Sequence, residues 1–317
     1  MKKSTLLTIT ALMLCNLSFS QITTTKVADK KEEISNQPYD SLENFLGTEV
    51  YKYIGQELYL KGKAESLRKY GYDGFLTDYT KSKHDKGAVY KCCDSYNSKY
   101  DELAGKYFSV IAVHKHPKAK ESEYLYGKKF YLELVEKESG DKLYYEYDSQ
   151  FKHSFPFIVV GFFTKQKEMN LGREFIVRGK NWMNRTDPML DMNSGKPVSF
   201  EVGSKWKCID FTIEEKYYNL SLVLENDKGE KIPLSLDYAD NTNFVFDSKD
   251  AEKYKQNFGQ EKWEKILEGK VVVGFTEEMV LLSWGKPEKV NRASYGDQWV
   301  YDGQYLYFEN GVLKSFN

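Results

Sequence analysis

Three blocks of this sequence occur twice, in the same order both times. Tyr53-Ile-Gly55-Gln-Glu-Leu-Tyr-Leu-Lys-Gly62 returns as Asn170-Leu-Gly172-Arg-Glu-Phe-Ile-Val-Arg-Gly179. Gly105-Lys-Tyr-Phe-Ser-Val-Ile-Ala-Val113 returns, with a one-residue slip, as Gly203-Ser-Lys-Trp-Lys-Cys-Ile-Asp-Phe211. Phe130-Tyr-Leu-Glu-Leu-Val-Glu, running on to Gly140, returns as Asn219-Leu-Ser-Leu-Val-Leu-Glu, running on to Gly229. Chance likeness between Tyr/Lys/Glu-rich strands would not keep three blocks in order, so duplication is the economical account. Each copy reads as a strand, a long excursion (63–102 or 180–202), then a meander with a Gly-centred turn.

Composition suits such strands. Aromatics make up 15% of the 317 residues, with 25 Tyr and 19 Phe, and tyrosine fits half-buried pleated surfaces. A hydrophobic fraction of 41% supplies real cores, and the length suits two or three domains. The expected boundaries are 39–165 and 166–246 for the two copies. The first closes with Phe155-Pro-Phe157-Ile-Val-Val-Gly-Phe-Phe163, read as a strand leading straight into the second; that one closes with Asn243-Phe-Val-Phe246. One strand, a long excursion and three or four short strands resemble a small SH3-like barrel, whose long binding loop the excursion would replace. An OB-like barrel fits the same count. An immunoglobulin-like sandwich needs more strands.

The pattern changes at Asp247. Ser248 is placed as an N-cap, and Ala251, Tyr254 and Phe258, then Trp263, Ile266 and Leu267, mark a helical stripe over 249–268 ending at Gly269. Thr276 is placed to cap a second helix over 276–284, with Glu277 and Glu278 in its first turn, where the helix dipole favours negative charge. Val280, Leu281 and Trp284 form its inward stripe, and Gly285 and Pro287 end it. The last residues carry Asp302-Gly303 and Asn310-Gly311, both type I′ hairpin signals, and predict three strands over 298–317. The expected fold is therefore mostly β with a C-terminal α+β module at 247–317: two tandem SH3-like units, then two helices and a three-stranded antiparallel meander.

Gly274-Phe-Thr276, Glu278-x-Val280, Trp284-Gly285-Lys-Pro287, Gln298-Trp299-Val-Tyr301 and Tyr305-Leu-Tyr-Phe308-x-Asn310-Gly311 resemble the BamE (SmpA/OmlA-like) family of small outer-membrane assembly lipoproteins. Its two-helix, three-strand fold is shared with β-lactamase-inhibitor-like repeats. The likeness covers 262–317. It departs at Phe275, where Met is usual, and in lacking a good lipobox cysteine. It implies the fold and an envelope setting, with peripheral outer-membrane association, and does not carry over membership of the barrel-assembly complex.

Residues 1–20 read as a signal peptide. Lys2 and Lys3 precede an apolar run, Leu6 to Leu17, too short for a permanent span, and Ser18-Phe-Ser20 offers small residues before Gln21. The rival is a lipoprotein signal at Cys15, preceded by Leu14, where a small residue is wanted. Residues 21–38 read as a polar tether. The expected setting is the periplasm, the outer membrane or beyond. Cleavage would take the basic count from 46 to 44 against 47 acids, a net of −3, and no basic excess remains to neutralise a nucleic-acid backbone.

Among candidate chemical groups, Cys92, Cys93 and Cys208 allow one disulfide with a thiol left over: a strained ring between neighbours, or a bridge from either to Cys208. Half-exposed free thiols are the alternative. His114-Lys-His116 would put two imidazoles on one strand face, a spacing that can seed a metal site, but Pro117 follows and no ligand spacing matches a known motif, so a solvated strand end is the reading and no metal or cofactor is expected. No nucleophile elbow or phosphate loop is present. The excursions carry aromatic and thioether groups, Tyr70, Tyr72, Phe75 and Tyr79 in the first and Trp182 and Met183 in the second, as candidate contact residues; the alternative is a loop folded onto its own barrel. The expected role is a non-enzymatic envelope module binding a protein or wall polymer. The alternatives are an accessory part of a peptidoglycan- or glycan-processing system and an inhibitor-like binder.

Overall fold

The computed structural model describes residues 38–94, 97–178, 189–198, 200–215, 218–294 and 296–317. The expected leader, the tether up to residue 37, and Trp182 and Met183 lie outside the described residues. The architecture is β-rich and mixed, with sheets that include a half-barrel.

The first repeat contributes β1 (Glu57–Leu60), β2 (Phe75–Leu76), β3 (Cys92–Asp94), β4 (Asn97–Ser98), β5 (Tyr107–Lys115), β6 (Lys129–Glu136), β7 (Lys142–Asp148) and β8 (Phe157–Val159). The second contributes β9 (Glu174–Val177), β10 (Lys205–Ile213), β11 (Leu220–Glu225), β12 (Lys231–Ser235) and β13 (Val245–Asp247). The sheet orders are β2-β7-β6-β5-β1-β8 and β12-β11-β10-β9-β13. Without β2, the first order is that of the second.

The match reaches single hydrogen bonds. Leu58 pairs with Phe108, and Phe175 with Trp206. Gly55 and Gly172 both take positive φ, 82° and 83°, and their N–H groups donate to Val110 O and Cys208 O. Gly105 and Gly203, at 79° and 82°, donate to Leu60 O and Val177 O. A β-bulge falls at Val110/Ala112 in β5 and at Cys208/Asp210 in β10. The slip expected in the second block is therefore absent. It belongs in the third, where Leu134 answers to Leu224 and the turn from Glu136 to Asp141 is one residue longer than that from Asn226 to Glu230.

Each repeat closes in the same way, which the sequence showed for the second and concealed for the first. After β8 the chain turns at once into helix α1 (Val160–Asn170), and after β13 into α2 (Ser248–Phe258), each of 11 residues. The apolar run through Phe163, expected as strand, is strand only to Val159. Phe162 is buried in the first core and Phe163 meets Phe211 of the second at 5.0 Å, so tertiary packing overrides the β-propensity of Val160-Gly-Phe-Phe.

The C-terminal module departs from expectation in four places. Gly259, at φ 82° and ψ 158°, splits the first helix into α2 and α3 (Gln260–Leu267). The α2 cap is Asp247, accepting from Lys249 N, not Ser248. In α4 (Glu277–Trp284) the buried residues include Met279, Val280 and Leu282, while Leu281 is exposed. The sheet has four strands, β14 (Lys289–Ala293), β15 (Gly296–Tyr301), β16 (Gln304–Glu309) and β17 (Val312–Phe316), in that order. Thr276 caps α4 by accepting from Met279 N at 3.3 Å, and Asn310-Gly311 takes two positive φ angles; at Asp302-Gly303 only the glycine does.

Arg178, directly after β9, is 3% exposed and donates to four backbone carbonyls: Thr242 at 2.6 Å, Leu282 at 2.9 Å, Ile266 at 2.9 Å and Ser283 at 2.6 Å. Three of these sit in the last turns of α3 and α4, where the helix dipole is negative, so a buried cation is held with no carboxylate partner among the described residues. Burial lowers its pKa to about 10.

Candidate functional site

The bulge at Val110/Ala112 creates the site. Up to it, Phe108 and Val110 point into the core; beyond it, Val113 does, and His114 is turned to the outer face. There His114 pairs with Tyr131, Ala112 with Glu133, Tyr131 with Glu146, and Glu133 with Tyr144. Three adjacent strands thus bring imidazole, phenol and carboxylate groups together.

The excursion completes the face by folding over it. Leu76, Val89 and Tyr131 form a small buried cluster, with Tyr79, Cys92 and Tyr144 partly buried against it. Tyr79 lies on His114, ring centres 4.9 Å apart and planes 17° apart, and meets Tyr144 at 4.8 Å and Tyr131 at 5.4 Å. At the end of β5, His116 stacks on Tyr126 at 4.4 Å and lies 5.5 Å from Tyr131.

Charged groups frame the rings. Glu133 meets His114 Nε2 at 2.7 Å and Lys142 at 3.0 Å. Burial alone would raise the Glu133 pKa, but hydrogen bonds from His114 and Lys142 outweigh it and the net shift is downward. Glu146 lies 3.2 Å from Lys129 and 3.9 Å from Lys83, which also pairs with Asp73 at 3.0 Å. Burial lowers the His116 pKa, and its Nδ1 accepts from Lys118 N at 3.1 Å. One ring nitrogen is thereby committed to the backbone. Among the described residues no group of three His, Cys, Asp or Glu is arranged to hold a metal.

The sequence candidates scatter. Tyr72 and Phe75 are each 1% exposed, inside the first core, where no partner reaches them: here the loop folds onto its own barrel. Tyr70 is 51% exposed but stands apart from the histidine-bearing face, and Lys69 lies over its ring. Tyr79 alone of these joins that face. His114 and His116 do share one face, yet as part of an aromatic array and not as a bare strand end. The sulfurs of Cys92 and Cys93 lie within bonding reach of each other, and Cys208 is buried. Tyr131, Glu133 and Tyr144 were missed. Their signal was the alternation in β6 and β7, invisible until the bulge sets the register.

The second repeat provides an internal control. By the same register, His114, Tyr131, Glu133, Tyr144 and Glu146 are matched there by Thr212, Ser221, Val223, Pro233 and Ser235. The aromatic and ionic array is therefore a property of one copy and not of the scaffold. In a cavity of about 430 Å3 elsewhere, Arg173 is already engaged, since it reaches Asn170, Asp240 and Asp247.

No protein-family model, no curated protein and no solved structure matches this chain.

Proposed function

We propose that this is an exported, non-enzymatic cell-envelope protein that holds a wall polymer against the outer face of the first repeat. The observation that carries the reading is the Tyr79–His114–Tyr144 array, present on one of two identically registered repeats. Half-buried rings on a rigid sheet offer stacking surface, and the surrounding Glu133–Lys142 and Glu146–Lys129 pairs offer donors and acceptors. A glycan chain needs both: C–H faces of its sugar rings meet aromatics, and its hydroxyls meet charged groups. His114 Nε2 is engaged by Glu133 and not by a hydroxyl or thiol, which favours binding over nucleophilic chemistry.

The architecture we assign with this role is two SH3-like units followed by a BamE-like module. Support for the first part is the order strand, excursion, meander, short helical turn, closing strand in both repeats. Support for the second is the Thr276-capped helix followed by the aromatic hairpins, with β14 as an added strand. An envelope setting, including peripheral outer-membrane association, rests on the N-terminal segment and on that resemblance.

The test is co-sedimentation of the full chain with isolated wall polymer. Wild type should be retained, and Tyr79→Ala with Tyr144→Ser should lose at least about tenfold in affinity, about 1.4 kcal/mol. Equal retention of both would overturn the assignment of the face. A protein partner is the second reading, favoured by Tyr124 and Leu125, 93% and 57% exposed on the turn that also carries Tyr126. Crosslinking in the envelope fraction would then capture one protein through that turn.

A further inference from the structure

Cys92 and Cys93 are neighbours whose sulfurs lie within bonding reach of each other. We propose that this pair is a reversible thiol–disulfide exchange site, opened by thiol or dithiol reductants and closed again by disulfide oxidants. Three observations carry the proposal.

The first is where thiol chemistry can occur in the described chain. Cys208 is 1% exposed in the core of the second repeat, and burial raises its thiol pKa to about 11, so it is neither reachable nor nucleophilic near neutral pH. Cys92 and Cys93 are half-exposed, on an excursion. The second is what the bond can do for stability. A disulfide stabilises chiefly by closing a loop of chain in the unfolded state, and the gain grows with the length enclosed. Neighbouring residues enclose almost none, so a bond between them would contribute little to the fold, and its use would lie in its chemistry.

The third is the setting. The pair begins the short β3–β4 hairpin, whose Ser98 exchanges both backbone hydrogen bonds with Tyr72, at 2.8 and 2.9 Å, and donates its hydroxyl to Tyr90 O. The flanking backbone is therefore tied to the core, which holds the two cysteines side by side. Cys92 packs beside Tyr79 and Tyr144 against Leu76, Val89 and Tyr131.

The chemistry balances. A reductant thiolate attacks one sulfur, forms a mixed disulfide and releases the other cysteine as thiolate. The reductant's second thiol then displaces the remaining cysteine. The protein gains two electrons and two protons, and the reductant leaves as its disulfide. The reduced pair presents adjacent thiols, which a trivalent arsenical oxide would bridge through two S–As bonds with loss of water.

The test uses the full chain purified without reductant, alkylated with iodoacetamide before and after dithiothreitol, without unfolding. Before reduction, the Cys92–Cys93 peptide should be unalkylated and lighter by two hydrogens than its dithiol. After reduction, both should alkylate, while Cys208 should alkylate only once the chain is unfolded. Phenylarsine oxide should be retained by the reduced chain and lost in Cys93→Ser. Alkylation of either residue before reduction, a bridge from either to Cys208, or resistance of the native pair to dithiothreitol would each overturn the proposal.

Discussion

Lys61 and Arg178 hold the same position in the two repeats, one residue past the first strand, donating their backbone N–H to Pro156 O and Phe244 O at 3.1 and 3.0 Å. Their side chains differ in what surrounds them. Arg178 is buried among four carbonyls that belong mainly to the ends of α3 and α4, over the Phe246 ring. Burial lowers the pKa of Lys61 as well as that of Arg178, but no comparable set of carbonyls meets the Lys61 side chain among the described residues. The neighbours follow suit. Ile176 and Phe246 of the second repeat share a core with Trp263, Phe275 and Leu306 of the C-terminal module, whereas Tyr59, the counterpart of Ile176, faces Tyr107, which is 44% exposed. A duplicated scaffold has thus been specialised twice. The second copy uses its differences to hold the C-terminal module, and the first keeps its own for the surface.

The largest test of that contrast is the pair of basic residues. Arg178→Met should strand buried carbonyls at two helix ends and cost about 3–5 kcal/mol in a denaturant melt. Lys61→Met should change stability by less than about 1 kcal/mol, because it removes a desolvated charge. Equal losses would break the comparison.

A contact between the copies comes next. A Cβ on Gly62 would overlap the ring of Tyr218, whose hydroxyl also accepts from Arg68 at 3.5 Å. Gly62→Ala should cost about 1–3 kcal/mol, and Tyr218→Ala should recover most of it in a double-mutant cycle. Additive losses would show that the overlap is not the cause.

The β6–β7 and β11–β12 turns give a finer contrast. Glu136 is buried and its carboxylate accepts from Glu138 N and Ser139 N, both at 2.9 Å; Asn226 does the same for Lys228 N and Glu230 N with a neutral amide, both at 3.0 Å. Burial by itself would raise the Glu136 pKa, but the Ser139 hydroxyl, the two N–H groups and Lys106 hold it down at about 2. A depressed carboxylate pKa means stability that is complete above the unfolded value of about 4.5 and is lost as pH falls towards 2. Glu136→Gln should remove about 1–3 kcal/mol at pH 7 and flatten the acid limb, while Asn226 contributes no such slope.

Much of this was legible beforehand. The repeat, the Gly-centred turns and the Thr276 cap are local chemistry, and local chemistry shows in the sequence. What stayed hidden depended on packing. Val160-Gly-Phe-Phe has β-like composition and becomes helix because Phe162 and Phe163 find two different cores. β14 is a polar edge strand, Lys-Val-Asn-Arg-Ala, with no alternation to betray it. Tyr72, Phe75 and Tyr79 look alike in sequence, yet only Tyr79 reaches the outer face, and the site around it depends on a bulge that no single residue announces.

The central claim is that the first repeat's meander face, and not its counterpart, meets the partner. Hydrogen exchange on the full chain with and without isolated wall polymer tests it directly. The account predicts slowed exchange over 76–90, 112–116 and 129–148, with 205–235 unchanged. Protection over 205–235 with the first repeat unchanged would contradict it.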